Sequence, residues 1–155
     1  MKKLLAIALC VLVPGMGISA EAGHKVEYDG GSISGLKAGA DLQLIIDQNT
    51  LRFLKNKTEV ASIPTASISE ISYGQDVHRR IGAAIGIGVF TLGIGALMAL
   101  TKSKKHFIGL TWDDAGKKGG LAFQADKKDY RGVLAGIEGV TGKKAVNTDT
   151  MTVKN

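Results

Sequence analysis

Three histidines, a cluster of serines and a glycine-rich run are the residues on which chemistry could be built. None of them stands in a spacing that chemistry needs. His24, His78 and His106 are too few and too separated for a metal site, although His78 and His106 could meet if the chain between them folds back. Ser67, Ser69 and Ser72 lie beside Glu70 in a strand-like run, without the glycine elbow that exposes a nucleophilic serine. Gly86-Ile87-Gly88 resembles part of a nucleotide-binding turn, but no acidic ribose ligand follows about twenty residues later, and there is no GxxxxGK[ST]. Asp113-Asp114 is better placed for a turn than for paired acid–base work. Asn56-Lys57-Thr58 is a glycosylation sequon by formula only, set in a hairpin turn. The expectation is a protein that is not an enzyme, with no catalytic residue, no cofactor and no metal. A hydrolase or nucleotide binder is the enzymatic alternative.

The rest of the chain is organised around Ile81 to Leu100, IGAAIGIGVFTLGIGALMAL, which contains no charge. Twenty helical residues would extend about 30 Å, the hydrocarbon thickness of a bilayer. Arg79 and Arg80 precede the run, and Lys102, Lys104 and Lys105 follow it, each able to contribute on the order of 1 kcal/mol at an anionic surface. These five are the candidate membrane-anchor flanks. Gly82, Gly86 and Gly93 fall on one helical line, and Gly88 and Gly95 on a nearly opposite one, as close helix packing in a membrane requires.

The amino-terminal residues indicate export. Lys2 and Lys3 form a positive n-region, Leu4 to Val13 an apolar h-region, and Pro14-Gly15 ends it before small residues, so 1–22 reads as a signal peptide. Cleavage after Ala20 or after Ala22 is compatible with this pattern. Cys10, the single cysteine, lies in the h-region, which leaves a mature chain without disulfides or thiolate metal sites. The net charge of +6 favours anionic surfaces. Nucleic acid would require aromatics interleaved with the basic residues, and the eight available are needed for a core.

Residues 23–40, rich in Gly and Ser, read as a flexible segment with at most a short strand at Lys25 to Tyr28. Beyond them the period becomes two. Leu42, Leu44 and Ile46 share a face; Leu51 and Phe53 follow after a turn at Asp47-Gln48-Asn49; Glu59 to Ile63 ends at Pro64; Ile68 to Tyr73 is a further strand. After the apolar run, Phe107 to Trp112 and Gly120 to Ala125 flank a polar turn. Asp126 is an N-cap candidate for a helix carrying Tyr130, Val133, Leu134, Ile137 and Val140, with Gly139 and Gly142 as stop signals. The polar residues 145–155 read as a mobile tail.

The run TLRFLKNKTEVASIPTASISEISYG resembles the strand–turn–strand–IP–strand segment of bacterial pleckstrin-homology-like and GRAM-like domains. The final helix, ending in GIEGVTGKK, is similar to the one that closes that small barrel. The chain also resembles exported bacterial proteins of unknown function with a glycine-rich apolar insert. The resemblance implies a mainly β fold with α: a small antiparallel barrel over 41–144, closed by a C-terminal amphipathic helix and interrupted by an insert at 77–105. The helix has no tryptophan and the basic phosphoinositide constellation is not evident, so phosphoinositide recognition is not implied.

If Ile68–Tyr73 and Phe107–Trp112 share one sheet, a single span between them would split the sheet across a bilayer and leave strand edges unpaired. A re-entrant hairpin, a helix at the interface or on a partner, and a buried hairpin all remain compatible. The expected function is that of a non-enzymatic lipid- or protein-interaction module on the periplasmic face of a bacterial membrane, anchored by its glycine-rich segment. Expected partners are anionic lipid headgroups, with a homo-oligomer or protein partner open and neither nucleic acid nor a small-molecule substrate. The alternative is a soluble periplasmic protein- or lipid-binding module with the insert buried or on a partner.

Overall fold

Alternating side chains shape the strands, and a computed structural model describes how they assemble for residues 23–75, 77–85 and 106–149. The signal-peptide reading of 1–22, most of the apolar run with its trailing lysines, and the end of the tail lie outside the described residues. The strands are β1 (His24–Gly31), β2 (Ala40–Ile46), β3 (Thr50–Lys55), β4 (Thr58–Pro64), β5 (Ile68–Tyr73), β6 (His106–Asp114), β7 (Lys117–Ala125) and the two-residue β8 (Val146–Asn147). Two helices are described, α1 (Val77–Ile85) and α2 (Tyr130–Thr141).

The fold is mainly β with helices, built on one mixed sheet in the order β4-β3-β2-β1-β7-β6-β5-β8. All pairings are antiparallel except that of β5 with β8. Two tight hairpins set the register. Asn56 and Lys57 (φ 51° and 67°) turn β3 into β4, and Ala115 and Gly116 (φ 52° and 86°) turn β6 into β7. Two successive positive φ values give the twist that antiparallel strands favour. β4 lies at one edge and β5 six strand spacings away, roughly 29 Å across a flat sheet. Yet only the short 3-10 turn Thr65–Ser67 joins Pro64 to Ile68, a link of at most about 14 Å. The sheet must therefore curl strongly, although β4 and β5 share no ladder and the β4 edge stays open.

The curl encloses a core of Leu44, Leu51, Phe53, Ile71, Ile108, Leu110, Leu121 and Phe123, all with zero exposure. Phe53 and Phe123 meet edge to face at 5.7 Å. Helix α2 adds Val133 and Ile137 to that core, four residues apart on one face. Gly136 lets it approach β2 so closely that a Cβ there would sit 2.9 Å from Ile46 Cδ1. The helix ends where expected, at Gly142 with φ 68° and its N–H donated to the Glu138 carbonyl. Its start differs. Asp126 accepts backbone bonds from Asp129 and Tyr130 and organises the preceding turn, while Asp129 holds the N-cap position without a side-chain cap bond. Gly139 lies inside the helix and stops nothing.

Two expectations are corrected. The flexible segment at 23–40 contains β1, a full strand bonded on both sides, by β2 and by β7. Val26 and Tyr28 face the core while Lys25 and Glu27 point away, a pattern short enough to be masked by the surrounding glycines. The mobile tail is ordered through Asp149. β8 extends β5 at Ser72 and Tyr73, and the buried Thr148 donates both its N–H (2.7 Å) and its hydroxyl (3.1 Å) to the Tyr73 carbonyl.

Candidate functional site

The root of the apolar insert is the place where the sheet, both helices and the chain's last described residues converge. β5 and β6 are antiparallel neighbours with Tyr73 opposite Ile108, and the Gly74 N–H donates to the Phe107 carbonyl at 3.1 Å. The chain thus leaves and re-enters the sheet on adjacent strands. Asp149 Oδ1 accepts the Gln75 N–H at 2.7 Å just before α1, so the end of the described chain braces the exit.

Helix α1 does not leave the sheet at once. It lies along the outer face of β6 and β7, with Val77 and Ile81 at zero exposure against Phe107 and Ala122, and Ile85 packed beside them. This face is made of small residues. A Cβ on Gly109 would collide with Val77, and one on Gly120 would lie 2.5 Å from Ile81 Cγ2. Gly119, pointing the other way, leaves room for the Trp112 ring opposite it.

Two polar pairs hold the same helix. His78 Nε2 lies 2.6 Å from Asp29 Oδ2, with side-chain exposures of only 10% and 11%. The Phe107 ring meets the imidazole edge to face at 5.3 Å, and Gln124 Nε2 donates to Asp29 Oδ1 at 3.4 Å. Arg80 forms a fork on Glu70 of β5, with Nε to Oε1 at 2.8 Å and Nη2 to Oε2 at 2.9 Å. That hydrogen bonding raises the guanidinium pKa further above its ordinary value.

On the re-entry side, His106 stacks on Tyr130 with ring centres 3.8 Å apart and planes within 3°. Its Nδ1 lies 2.8 Å from the Tyr73 hydroxyl, which places the two rings side by side over Tyr130. Arg131 Nε donates to the Tyr130 hydroxyl at 2.9 Å. Burial, then hydrogen bonding to Tyr130, pushes the Tyr73 phenol up to about 12. Arg131 holds the Tyr130 phenol below its ordinary value.

The expected flanks are therefore distributed unevenly. Arg79 is exposed on α1, whereas Arg80 is engaged by Glu70. Gly82 lies on α1 with no described atom within 4 Å of where a Cβ would stand, so it packs closely against nothing among the described residues. Gly86, Gly88, Gly93, Gly95, Lys102, Lys104 and Lys105 lie outside the described residues. His78 and His106 both belong to the root but serve different partners. No cluster of metal-ligating side chains occurs among the described residues. No helix among them is long and apolar enough to cross a membrane.

Asp29, Glu70, Gln124 and Tyr130 were not expected at the site. Asp29 was hidden because β1 was read as flexible. Its place in the alternation Lys25, Glu27, Asp29, opposite Val26 and Tyr28, is the signal that could have found it. The other three act through sheet register and long-range packing, which local spacing does not encode. No protein-family model matches this chain, and a search of curated proteins finds no match.

Proposed function

We propose that this protein is an exported, non-enzymatic, membrane-associated module of pleckstrin-homology-like architecture, whose sheet carries an apolar segment that leaves and returns on one side of a bilayer. The observation that carries this reading is the pairing of β5 with β6, because adjacent antiparallel strands cannot stand on opposite sides of a membrane. The meandering strand order and the core-packed α2 support the architecture.

Length supports a return rather than a crossing. Docking of Val77, Ile81 and Ile85 commits the first five residues of the apolar run to the sheet, and Gly86 to Leu100 make up the other fifteen. A helix of that length would reach roughly 22 Å, short of the roughly 30 Å of hydrocarbon. Such a segment suits the interface or a shallow re-entrant turn, with anionic headgroups as partners for Arg79 and the trailing lysines. The docked start of the run favours a second reading, in which the whole insert is buried on the protein or on a partner protein.

Cosedimentation separates the two. Vesicles of phosphatidylcholine and phosphatidylglycerol should bring down the mature protein, and binding should persist in high salt. Replacing residues 86–104 with a Gly-Ser linker should abolish it. A protein that stays in the supernatant with and without the insert would overturn the membrane reading in favour of the second one.

A further inference from the structure

Helix α2 begins beside the strand on which the insert returns. His106 pairs with Ala125, the last residue of β7, and the chain then turns through Asp126 to Asp129 into α2. Tyr130 lies flat on His106 at 3.8 Å, which ties the turn to the point of re-entry. Lys127 and Lys128 stand in the turn and Arg131 follows Tyr130, all three exposed. The charges here are used unequally. Asp126 Oδ1 accepts the Lys128 N–H at 3.0 Å, and Asp149 Oδ1 accepts the Gln75 N–H at 2.7 Å. Asp129 holds the N-cap position, where a carboxylate complements the helix dipole. Each of these acids thus serves the backbone. Lys127, Lys128 and Arg131 form no ion pair among the described residues, unlike Arg52 and Arg80.

We propose that the turn from Lys127 to Arg131 is a second headgroup-binding surface, which takes the phosphodiesters of anionic lipids and seats this end of the sheet on the bilayer. The inference rests on the membrane-associated reading above and adds which end of the module faces lipid. The chemistry is that of a donor set awaiting an acceptor. Arg131 Nε donates to the Tyr130 hydroxyl at 2.9 Å, so that hydroxyl keeps its own proton for another oxygen, and the guanidinium has further N–H groups to give. A phosphodiester accepts without donating, and its paired oxygens match the guanidinium fork. The Tyr130 phenol registers the local field, held below its ordinary value by Arg131 and, more weakly, by Lys127. A tyrosine ring among cations is also the composition of a membrane–water interface. Lys117 and Lys118 are exposed as well, but they pair with Asp114 and Asp113 at the other end of β6. Asp114 is eight residues from His106, roughly 26 Å along the strand and several Debye lengths in physiological salt. A bilayer at the root of the insert would not feel that pair, which makes it the natural control.

Binding of the full mature chain to the phosphatidylcholine and phosphatidylglycerol vesicles described above tests the surface. Lys127→Gln/Arg131→Gln should weaken binding about tenfold or more in dilute buffer, and the loss should shrink in high salt. Lys117→Gln/Lys118→Gln should bind within about twofold of the unsubstituted protein. Because these cations pair with no described carboxylate, both variants should melt as the unsubstituted protein does. A second measurement reads orientation without relying on affinity. In a Cys10→Ser background, an environment-sensitive dye on Lys128→Cys should shift its emission to the blue when vesicles are added, and the same dye on Lys117→Cys should not. Undiminished binding by the first variant, equal losses from both pairs, or a dye shift at residue 117 would each overturn the surface and leave the membrane reading standing. Absence of vesicle binding by the unsubstituted protein would remove the membrane reading, and this surface with it.

Discussion

Asp29 and His78 illustrate how unequal the two halves of a buried pair can be. Replacing His78 with Leu would leave the Asp29 carboxylate almost enclosed, with the long Gln124 contact as its remaining described partner. That should destabilise the protein by about 3–5 kcal/mol, and His78→Leu/Asp29→Leu should be less damaging than the single change because no charge is then stranded. Urea unfolding of the three proteins measures both. In the core, Ile137→Ala should cost about 2–5 kcal/mol, and Leu134→Ala less, because Leu134 is only half-buried. The tyrosines can be followed by phenolate absorbance. Tyr130 should ionise early, and Arg131→Ala should move that step upward. Tyr73 should ionise at about 12, in a step that Tyr73→Phe removes. A phenol raised in the fold favours folding fully below its unfolded value of about 10, and that contribution is lost as pH rises through 12.

Among the elements, α1 packs on the sheet, and excisions that begin before and after it test what it contributes. Ile85 lies beside Gly120, whose partner Thr111 is five residues along β6 from His106, roughly 17 Å. A Gly-Ser linker of about eight residues can span that distance. Replacing residues 86–104 with it should leave the far-ultraviolet circular dichroism and the melting temperature nearly unchanged. Replacing 77–104 should lower the melting temperature by at least about 10 °C, because Phe107 and Ala122 lose their cover and Asp29 its partner. Equal melts would show that α1 contributes nothing to the fold. The elements also differ in how far the sequence discloses them. Strands β2 to β7 were legible because their large apolar side chains recur on the face that meets the core, so the alternation of Leu42 and Leu44, or of Leu121 and Phe123, reports that core directly. β1 was obscured by its Gly30-Gly31 end, and β8 is two residues held entirely by β5. α1 is hard to separate from the apolar run for the opposite reason. Its apolar stripe runs on into an uncharged segment, and the small outer face of Gly109, Gly120 and Ala122 that receives it lies on strands far along the chain.

For the whole molecule, the decisive property is the side of the membrane on which the two ends of the insert stand. β5 and β6 are joined by a ladder from Ile68–Trp112 to Tyr73–Ile108, and β8 adds to the outer edge of β5. Drawing the two strands apart would break that ladder and open the core at Ile71, Ile108 and Leu110, far more than fifteen apolar residues containing four glycines could recover by insertion. Gln75 lies at the exit, bonded through its N–H to Asp149, and Ser103 precedes His106 at the re-entry by three positions, within about 11 Å of chain. Single cysteines at Gln75 and at Ser103, each in a Cys10→Ser background, should therefore react alike with an impermeant thiol reagent on sealed vesicles carrying the protein, both labelled or both protected. A permeant reagent should label both in every preparation, which controls for burial at the root. Opposite labelling would demonstrate a crossing, and a crossing would require β5 and β6 to separate, so the same sample would then lose amide protection along β6. If the two cysteines label alike and β6 remains protected, the sheet stays whole on one side and the apolar segment returns to it.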